Sequence, residues 1–184
     1  SRRLYVLLMR KIASTVLTAL LTLCFINFGS VADDSLNKTN SLSETELNFY
    51  TGMFDFSDHK QSSGLVGLQH QNDDLFRDSF LGKISPITGG FLTENSAFYL
   101  YTGAQAEYNI GRLKITPSFA PGFYNSGDGK DLGSVLEFKS EVQMSLNLSD
   151  STEFGMSYNH ISNASLGDKN PGANSYMLNF LKQF

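Results

Sequence analysis

His160 and Ser162 stand two residues apart at the end of an alternating run, and Asn174 follows a loop closed by Asn170-Pro171-Gly172. On an extended strand, side chains at i and i+2 leave the same face, roughly 6.5 to 7 Å apart along the backbone. An imidazole and a hydroxyl can bridge that gap. The pairing is suited to nucleophilic catalysis: the imidazole takes the hydroxyl proton as the oxygen attacks a carbonyl, and a third polar group holds the imidazole in one tautomer. Asn174 can orient a histidine through its side-chain oxygen. It offers no carboxylate charge to an imidazolium, which predicts slower chemistry than an acid would support. His-x-Ser alone is a short motif, so the elements that carry these residues decide its meaning.

From Glu44 onward the sequence alternates with period two between short polar or glycine-containing breaks, which is a strand pattern. Eight strands are predicted: Glu44 to Phe54, Ser62 to Gln71, Ser79 to Ser85, Ala97 to Tyr108, Arg112 to Phe123, Gly133 to Leu148, Thr152 to Ser162 and Asn174 to Phe184. In the sixth, Val135, Glu137, Lys139, Glu141 and Gln143 make a largely polar face, opposite Leu136, Phe138, Val142, Met144 and Leu146. Tight breaks at Asn109-Ile110-Gly111 and Ser149-Asp150-Ser151 alternate with longer ones around Asp55 to Gln61, Pro86 to Ser96, Tyr124 to Leu132 and Asn163 to Ala173. Charged residues on the inward face, short turns at one end, long loops at the other and an even strand number point to an eight-stranded antiparallel transmembrane β-barrel of the outer membrane. Closure also removes the unpaired edges that hydrocarbon does not tolerate. A soluble ligand carrier would need the reverse polarity, with an apolar interior.

In that frame Phe154, Met156, Tyr158, His160 and Ser162 share one parity, and Asn174 shares the parity of Tyr176, Leu178 and Phe180. If the apolar members meet lipid, His160, Ser162 and Asn174 gather on the outer wall at the extracellular rim. An enzyme for soluble molecules normally uses a concave pocket. One placed on the outer wall can receive a membrane lipid sideways from the leaflet.

The segment HISNASLGDKNPGAN resembles the His-x-Ser-Asn-Ala segment of the lipid A 3-O-deacylase and acyloxyacyl-hydrolase-like family of Gram-negative outer membranes, and ITPSFAPGFYNSGDGKDLGSVLEFKSEVQMSL is similar to that family's central region. The resemblance implies an esterase that removes the 3-position acyl chain of lipid A, with lipopolysaccharide as substrate and outer-membrane lipid as surroundings. It matches Ser162 to the nucleophile and His160 to the base. Asn163 and Ala164 fall in the oxyanion-stabilising region, and the family's acidic member falls at Asn174. That departure leaves open whether Asn174 serves, whether another acid such as Asp168 is recruited, or whether the chain is a catalytically weak or inactive structural or adhesive barrel on the same scaffold. A homodimer is compatible with the sequence.

Composition agrees with export. Arg2, Arg3, Arg10 and Lys11 precede an apolar run that ends in Gly29-Ser30-Val31-Ala32, the order of a signal peptide spanning 1–32, with Met9 a candidate start. Residues 33–43 form a polar lead-in and 44–184 the barrel. Cys24 is the only cysteine and lies in the leader, so no disulfide holds the fold. The chain carries 14 basic and 18 acidic residues, and four of the basic ones precede Asp33, so the exported part has a net charge of −8. A basic footprint for nucleic acid is missing. His59, His70 and His160 are scattered, with no metal-ligand spacing, and the glycine-rich run Gly127 to Gly133 lacks the oxygen pattern of a calcium loop. No cofactor is implied. Pro117 and Pro121 are expected to mark a bulge or the upper rim.

Overall fold

The computed structural model describes residues 45–58, 61–72 and 77–184. The leader 1–32, the lead-in 33–43 and His59 lie outside the described residues. Among the described residues nine strands form one antiparallel sheet: β1 (Thr45–Phe54), β2 (Ser63–Asn72), β3 (Arg77–Ser79), β4 (Gly82–Thr93), β5 (Phe98–Ile110), β6 (Leu113–Asn125), β7 (Leu136–Ser149), β8 (Thr152–Ser162) and β9 (Ala173–Gln183). Pairing runs β2-β1-β9-β8-β7-β6-β5-β4-β3, and β2 also pairs with β4, which closes eight strands into a barrel and leaves β3 as a short hairpin partner of β4. At the short-turn end the two termini of the barrel meet, the Thr45 N–H donating to the Phe184 carbonyl and the Phe184 N–H to the Thr45 carbonyl. No helix among the described residues is long and apolar enough to cross a membrane.

Strand polarity follows the alternation. On β7, Glu137, Lys139, Glu141, Gln143 and Ser145 are buried in the lumen, while Val142, Met144 and Leu146 are exposed on the outer surface. The same inversion holds on β8 and β9, where Met156 and Leu178 face each other across the ladder and are 59% and 46% exposed. Apolar side chains on the outside with charge inside suit hydrocarbon as solvent. A strand of about 11 residues, rising roughly 3.3 Å per residue and tilted by about 45°, spans the apolar band of an outer membrane.

The lumen is filled. Towards the long-loop end lies an aromatic cluster of Phe54, Phe91, Tyr99 and Tyr101, with ring centroids 5.4 to 5.7 Å apart between successive members. Gly67 leaves room for the Tyr50 ring, since a Cβ there would lie 2.2 Å from it. The Tyr50 hydroxyl pairs with that of Tyr101 at 3.2 Å. Deeper, Lys114 lies between Glu46 at 3.1 Å and Glu153 at 2.8 Å. Lys139 meets Glu141 at 3.3 Å and stands 3.9 Å over the Tyr101 ring. These ion pairs partner the buried charges of Lys114, Glu46, Glu153, Lys139 and Glu141, while both carboxylate oxygens of Glu137 and the Oδ1 atoms of Asn48 and Asn159 are buried without a hydrogen-bond partner among the described residues.

Two strand expectations need correction. The third strand is not Ser79 to Ser85 but β4, Gly82–Thr93, so the anticipated long loop from Pro86 shrinks to the turn at residues 94–97. Pro86 and Gly89-Gly90 read as break signals. In the barrel, Ile87 and Phe91 fill the lumen, and a Cβ on Gly89 would lie 2.7 Å from both the Leu68 carbonyl and the Tyr101 hydroxyl. These glycines mark close strand approach. The sixth expected strand begins at Leu136 instead of Gly133. Pro117 and Pro121 produce no bulge: the β5–β6 register is constant, with the ladder merely interrupted between Tyr101↔Gly122 and Ala104↔Phe119, and again between Gln105↔Ser118 and Tyr108↔Ile115. A proline without an N–H explains each gap.

Candidate functional site

His160, Ser162 and Asn174 all lie on the outer face near the long-loop end. The inward neighbours Asn159, Ile161, Ala173 and Ser175 are buried, which leaves the alternate positions to the outside. His160 is exposed and Ser162 and Asn174 are half-buried. Register places His160 directly opposite Asn174 and next to Ser140 of β7, while Ser162 is opposite Phe138. The imidazole Nδ1 lies 2.8 Å from the Asn174 Oδ1. An amide oxygen can only accept, so Nδ1 carries the proton and Nε2 is left with a lone pair. Among the described residues no hydrogen bond joins Ser162 to His160.

The loop after Ser162 turns at once. Asn163 to Leu166 form a turn closed by the Leu166 N–H donating to the Asn163 carbonyl at 3.0 Å, and both central residues, Ala164 (φ 52°) and Ser165 (φ 63°), have left-handed backbone. Non-glycine residues in this region carry strain of about 1 to 3 kcal/mol each and persist only where the surroundings over-determine them. Asn163 provides that over-determination. Its fully buried side-chain amide donates to the carbonyls of Leu132 and Lys169, both at 2.8 Å, and its own N–H donates to the Asn170 Oδ1 at 3.1 Å. The Asn163 N–H is therefore already engaged, whereas the Ala164 N–H has no partner among the described residues. Asp168 is exposed in the loop, with no contact to His160. Gly172 (φ 63°) turns the chain into β9 directly against the imidazole, where an added Cβ would lie 2.9 Å from Cε1.

Further residues complete the surroundings; of these the sequence pattern places Tyr158 and Tyr176 on the same face, and gives no sign of Asp55, Phe56, Ser57 or Lys130. The Tyr158 hydroxyl donates to the same Asn174 Oδ1, at 2.8 Å. The Asn174 Nδ2 donates to the Ser57 Oγ at 3.2 Å, and the Asn174 N–H donates to the Asp55 Oδ1 at 3.3 Å. Asp55 directly follows β1 in left-handed backbone (φ 51°), is fully buried, and meets the Lys130 ammonium at 2.6 Å. Phe56 packs on Tyr158 and Tyr176 with centroids 6.3 and 5.3 Å away, an aromatic wall just below the polar group. Asp55 and Asn174 are 119 residues apart in sequence. Their adjacency follows from closure alone: β1 pairs with β9 with Met53 opposite Tyr176, and the same register continued two residues brings them together. Outside the spanning strands, Asp131 of the β6–β7 loop accepts from Lys169 at 2.8 Å and from the Gly133 N–H at 2.9 Å. These contacts hold its carboxyl below the ordinary range, the Lys169 hydrogen bond contributing most.

Comparison with known proteins places this geometry in context. A family model described as lipid A 3-O-deacylase (PagL) matches residues 44–182. The crystal structure of the outer membrane enzyme PagL is similar, with a TM-score of 0.60 and 21% identity over 74% of this chain and 98% of that one. The solution structure of the de novo designed TMB2.3 gives a TM-score of 0.52 at 8% identity, covering 77% and 94% of the two chains. A structure from the de novo design of transmembrane β-barrels gives 0.50 at 7% identity, covering 80% and 100%. No curated protein sequence matches the chain.

Proposed function

The chain belongs to the lipid A 3-O-deacylase (PagL) family, an outer-membrane barrel lineage of lipid A deacylases, and from that premise we propose that it hydrolyses the 3-position acyl ester of lipid A through Ser162 and His160 at the extracellular rim. The observation that carries the reading is the 2.8 Å contact between His160 Nδ1 and Asn174 Oδ1 on the lipid-facing wall, two residues from an outward serine. It fixes the tautomer that a general base needs.

Ser162 Oγ attacks the fatty-acyl carbonyl while its proton passes to the His160 Nε2. The hydroxyl and the imidazole leave the same face of β8 two residues apart, and catalytic hydrogen bonds of this kind often form only once substrate is bound. Negative charge on the tetrahedral oxygen is offset by the Ala164 N–H, which the turn leaves unpartnered. The imidazolium returns its proton to the departing sugar oxygen, leaving an acyl-serine. Water, deprotonated by the same imidazole, then releases the fatty acid. The steps need no metal or cofactor. Tyr158, Tyr176 and Phe56 give the acyl chain an aromatic bed continuous with Met156 and Leu178 further down the wall. Asp168 is a weaker choice for the acid than Asn174, because it is exposed and nothing joins it to the imidazole.

Expression in a Gram-negative host with intact lipid A tests this. Mass spectrometry should show lipid A lighter by one hydroxy fatty acid, lost from the 3-position. The Ser162→Ala protein should insert equally and leave lipid A unchanged. Unmodified lipid A from the parent protein, correctly inserted, would favour the reading of a barrel that has kept the scaffold and lost the chemistry.

A further inference from the structure

We propose that Asp55 is the acid of this site, acting at a distance as a positioning residue through Ser57 and Asn174 to fix the proton order at His160. The inference rests on the acyl-transfer reading above and supplies what that reading lacks, a carboxylate. An asparagine at the third position has an inherent ambiguity. Its amide can present either oxygen or nitrogen to the imidazole, and only the oxygen selects the Nδ1–H tautomer that leaves Nε2 free to act as base. Turned the other way, the amide would donate to Nδ1 and put the proton on Nε2, where it blocks the reaction.

The contacts around Asn174 remove the ambiguity. Asp55 is fully buried and lies 2.6 Å from the Lys130 ammonium, and an ionised carboxylate only accepts. Ser57 has one hydroxyl proton and donates it to the Asp55 Oδ1 at 3.4 Å. A charged acceptor outcompetes a neutral amide for that proton. The Ser57 oxygen can then only accept from Asn174, which does donate to it through Nδ2 at 3.2 Å. The amide oxygen is thereby forced to the opposite side, where it lies 2.8 Å from His160 Nδ1. Each link has one permitted direction, and the order starts at the carboxylate.

The same carboxylate also holds the frame in which the relay operates. Asp55 Oδ1 accepts from the Asn174 N–H at 3.3 Å, and the Phe56 N–H donates to the Asn174 carbonyl at 3.0 Å, so the start of β9 is tied to the end of β1 on both sides. Lys130 arrives from the β6–β7 loop and neutralises the carboxylate. Its presence makes Asp55 a device for orientation, with little net charge left to stabilise imidazolium.

The test uses the full exported chain refolded in detergent micelles, with lipid A deacylation kinetics and ¹⁵N NMR of the histidine rings as two readouts. The His160 signal is identified by its loss in His160→Gln. Asp55→Asn also breaks a buried ion pair, so Ser57→Ala, which leaves Asp55 and Lys130 together, is the decisive variant. Above the imidazole titration the parent should show His160 protonated on Nδ1, and Ser57→Ala should show a mixture of tautomers. Its kcat should fall about five- to tenfold at unchanged KM, the effect of losing one neutral hydrogen bond. Asn174→Asp places a carboxylate directly on the imidazole and should restore kcat in both the Ser57→Ala and Asp55→Asn backgrounds. An unchanged tautomer and kcat in Ser57→Ala would overturn the proposal, as would failure of Asn174→Asp to rescue a folded Ser57→Ala protein. If Ser162→Ala keeps its activity the acyl-transfer reading falls on its own, while the tautomer measurement still decides the relay.

Discussion

Asn163 offers the sharpest test of how the loop after Ser162 is held. Its side-chain amide is fully buried and donates to the carbonyls of Leu132 and Lys169, both at 2.8 Å. Asn163→Ala removes both donors and leaves two carbonyls without partners under the loop. An unsatisfied buried acceptor costs about 1 to 3 kcal/mol, and partial hydration at the loop edge sets the combined loss at about 2 to 4 kcal/mol. The loss falls on the loop and not on the barrel, because strand pairing on either side is untouched. Local opening should become about 30- to 1000-fold more populated, at about 1.36 kcal/mol per factor of ten. Hydrogen exchange at the Leu166 N–H, which closes the strained turn onto the Asn163 carbonyl, reads this directly. Amides in β7 and β8 serve as the internal control. Asn163→Asp should be at least as damaging, since it brings a negative charge against two carbonyl oxygens. Unchanged Leu166 exchange in the alanine variant would show that the turn holds Ala164 and Ser165 without Asn163, and would remove the stated basis for the strain.

Three other expectations follow from particular contacts. Gly172→Ala should abolish deacylation in an inserted barrel, because its Cβ would lie 2.9 Å from the His160 Cε1 on a backbone at φ 63°; normal kcat would show that the imidazole moves aside without cost. Lys114→Met should lower unfolding stability by about 3 to 5 kcal/mol, since it strands Glu46 and Glu153 without their cation in the lumen. Denaturant unfolding of the refolded barrel measures it, and neutralising both glutamates in the same protein should recover part of the loss. The carboxyl of Asp131 sits below the ordinary aspartate value of about 3.9. A depressed carboxyl stabilises above its unfolded value and loses that contribution as pH falls through its folded one, so the Lys169 contact should persist to below pH ~3.9. The amide shift of Gly133 should report that titration, and Lys169→Gln should move its midpoint up; a midpoint at the ordinary value in both proteins would refute the assignment.

The alternation on β7 and β8 makes the barrel and its polarity legible in the sequence, because period two with charge on one face has few other solutions in lipid. The outward direction of His160 and Asn174 followed from the same parity. What escaped was of two kinds. In β4, Pro86 and Gly89-Gly90 carry the composition of a loop, and only the lumen requirement for Ile87 and Phe91, with strands approaching closely at the glycines, makes them strand. Asp55 and Ser57 escaped for another reason. They lie at the far end of the chain from Asn174, and nothing local in the segment DFSD marks a site. Barrel closure contained the information, since the first and last strands must pair, but the register that sets Asp55 opposite Asn174 is not readable from either strand alone. The engagement of the Asn163 N–H was equally invisible, because it depends on how a loop folds back on itself.

A filled interior has a consequence for the chemistry. Lys114, Glu46, Glu153, Lys139, Glu141 and the tyrosines occupy the lumen, so a bulky ester cannot approach from inside. In the proposed reaction the reacting groups stand on the outer wall, where neighbours are limited to same-face residues of adjacent strands and to loops folding over the rim. A residue on that wall has lipid on one side, and an unpaired carboxylate there would be exposed to the lowest dielectric the molecule meets. An amide can sit on the wall without that penalty, while the carboxylate that directs it stays behind the loops beside Lys130. On this argument asparagine at 174 moves the acid one layer inward without deleting it. Introducing Asp at 174 should then raise kcat while lowering the tolerance of the site for tight packing of neutral lipid, a trade measurable by comparing deacylation in micelles and in bilayers.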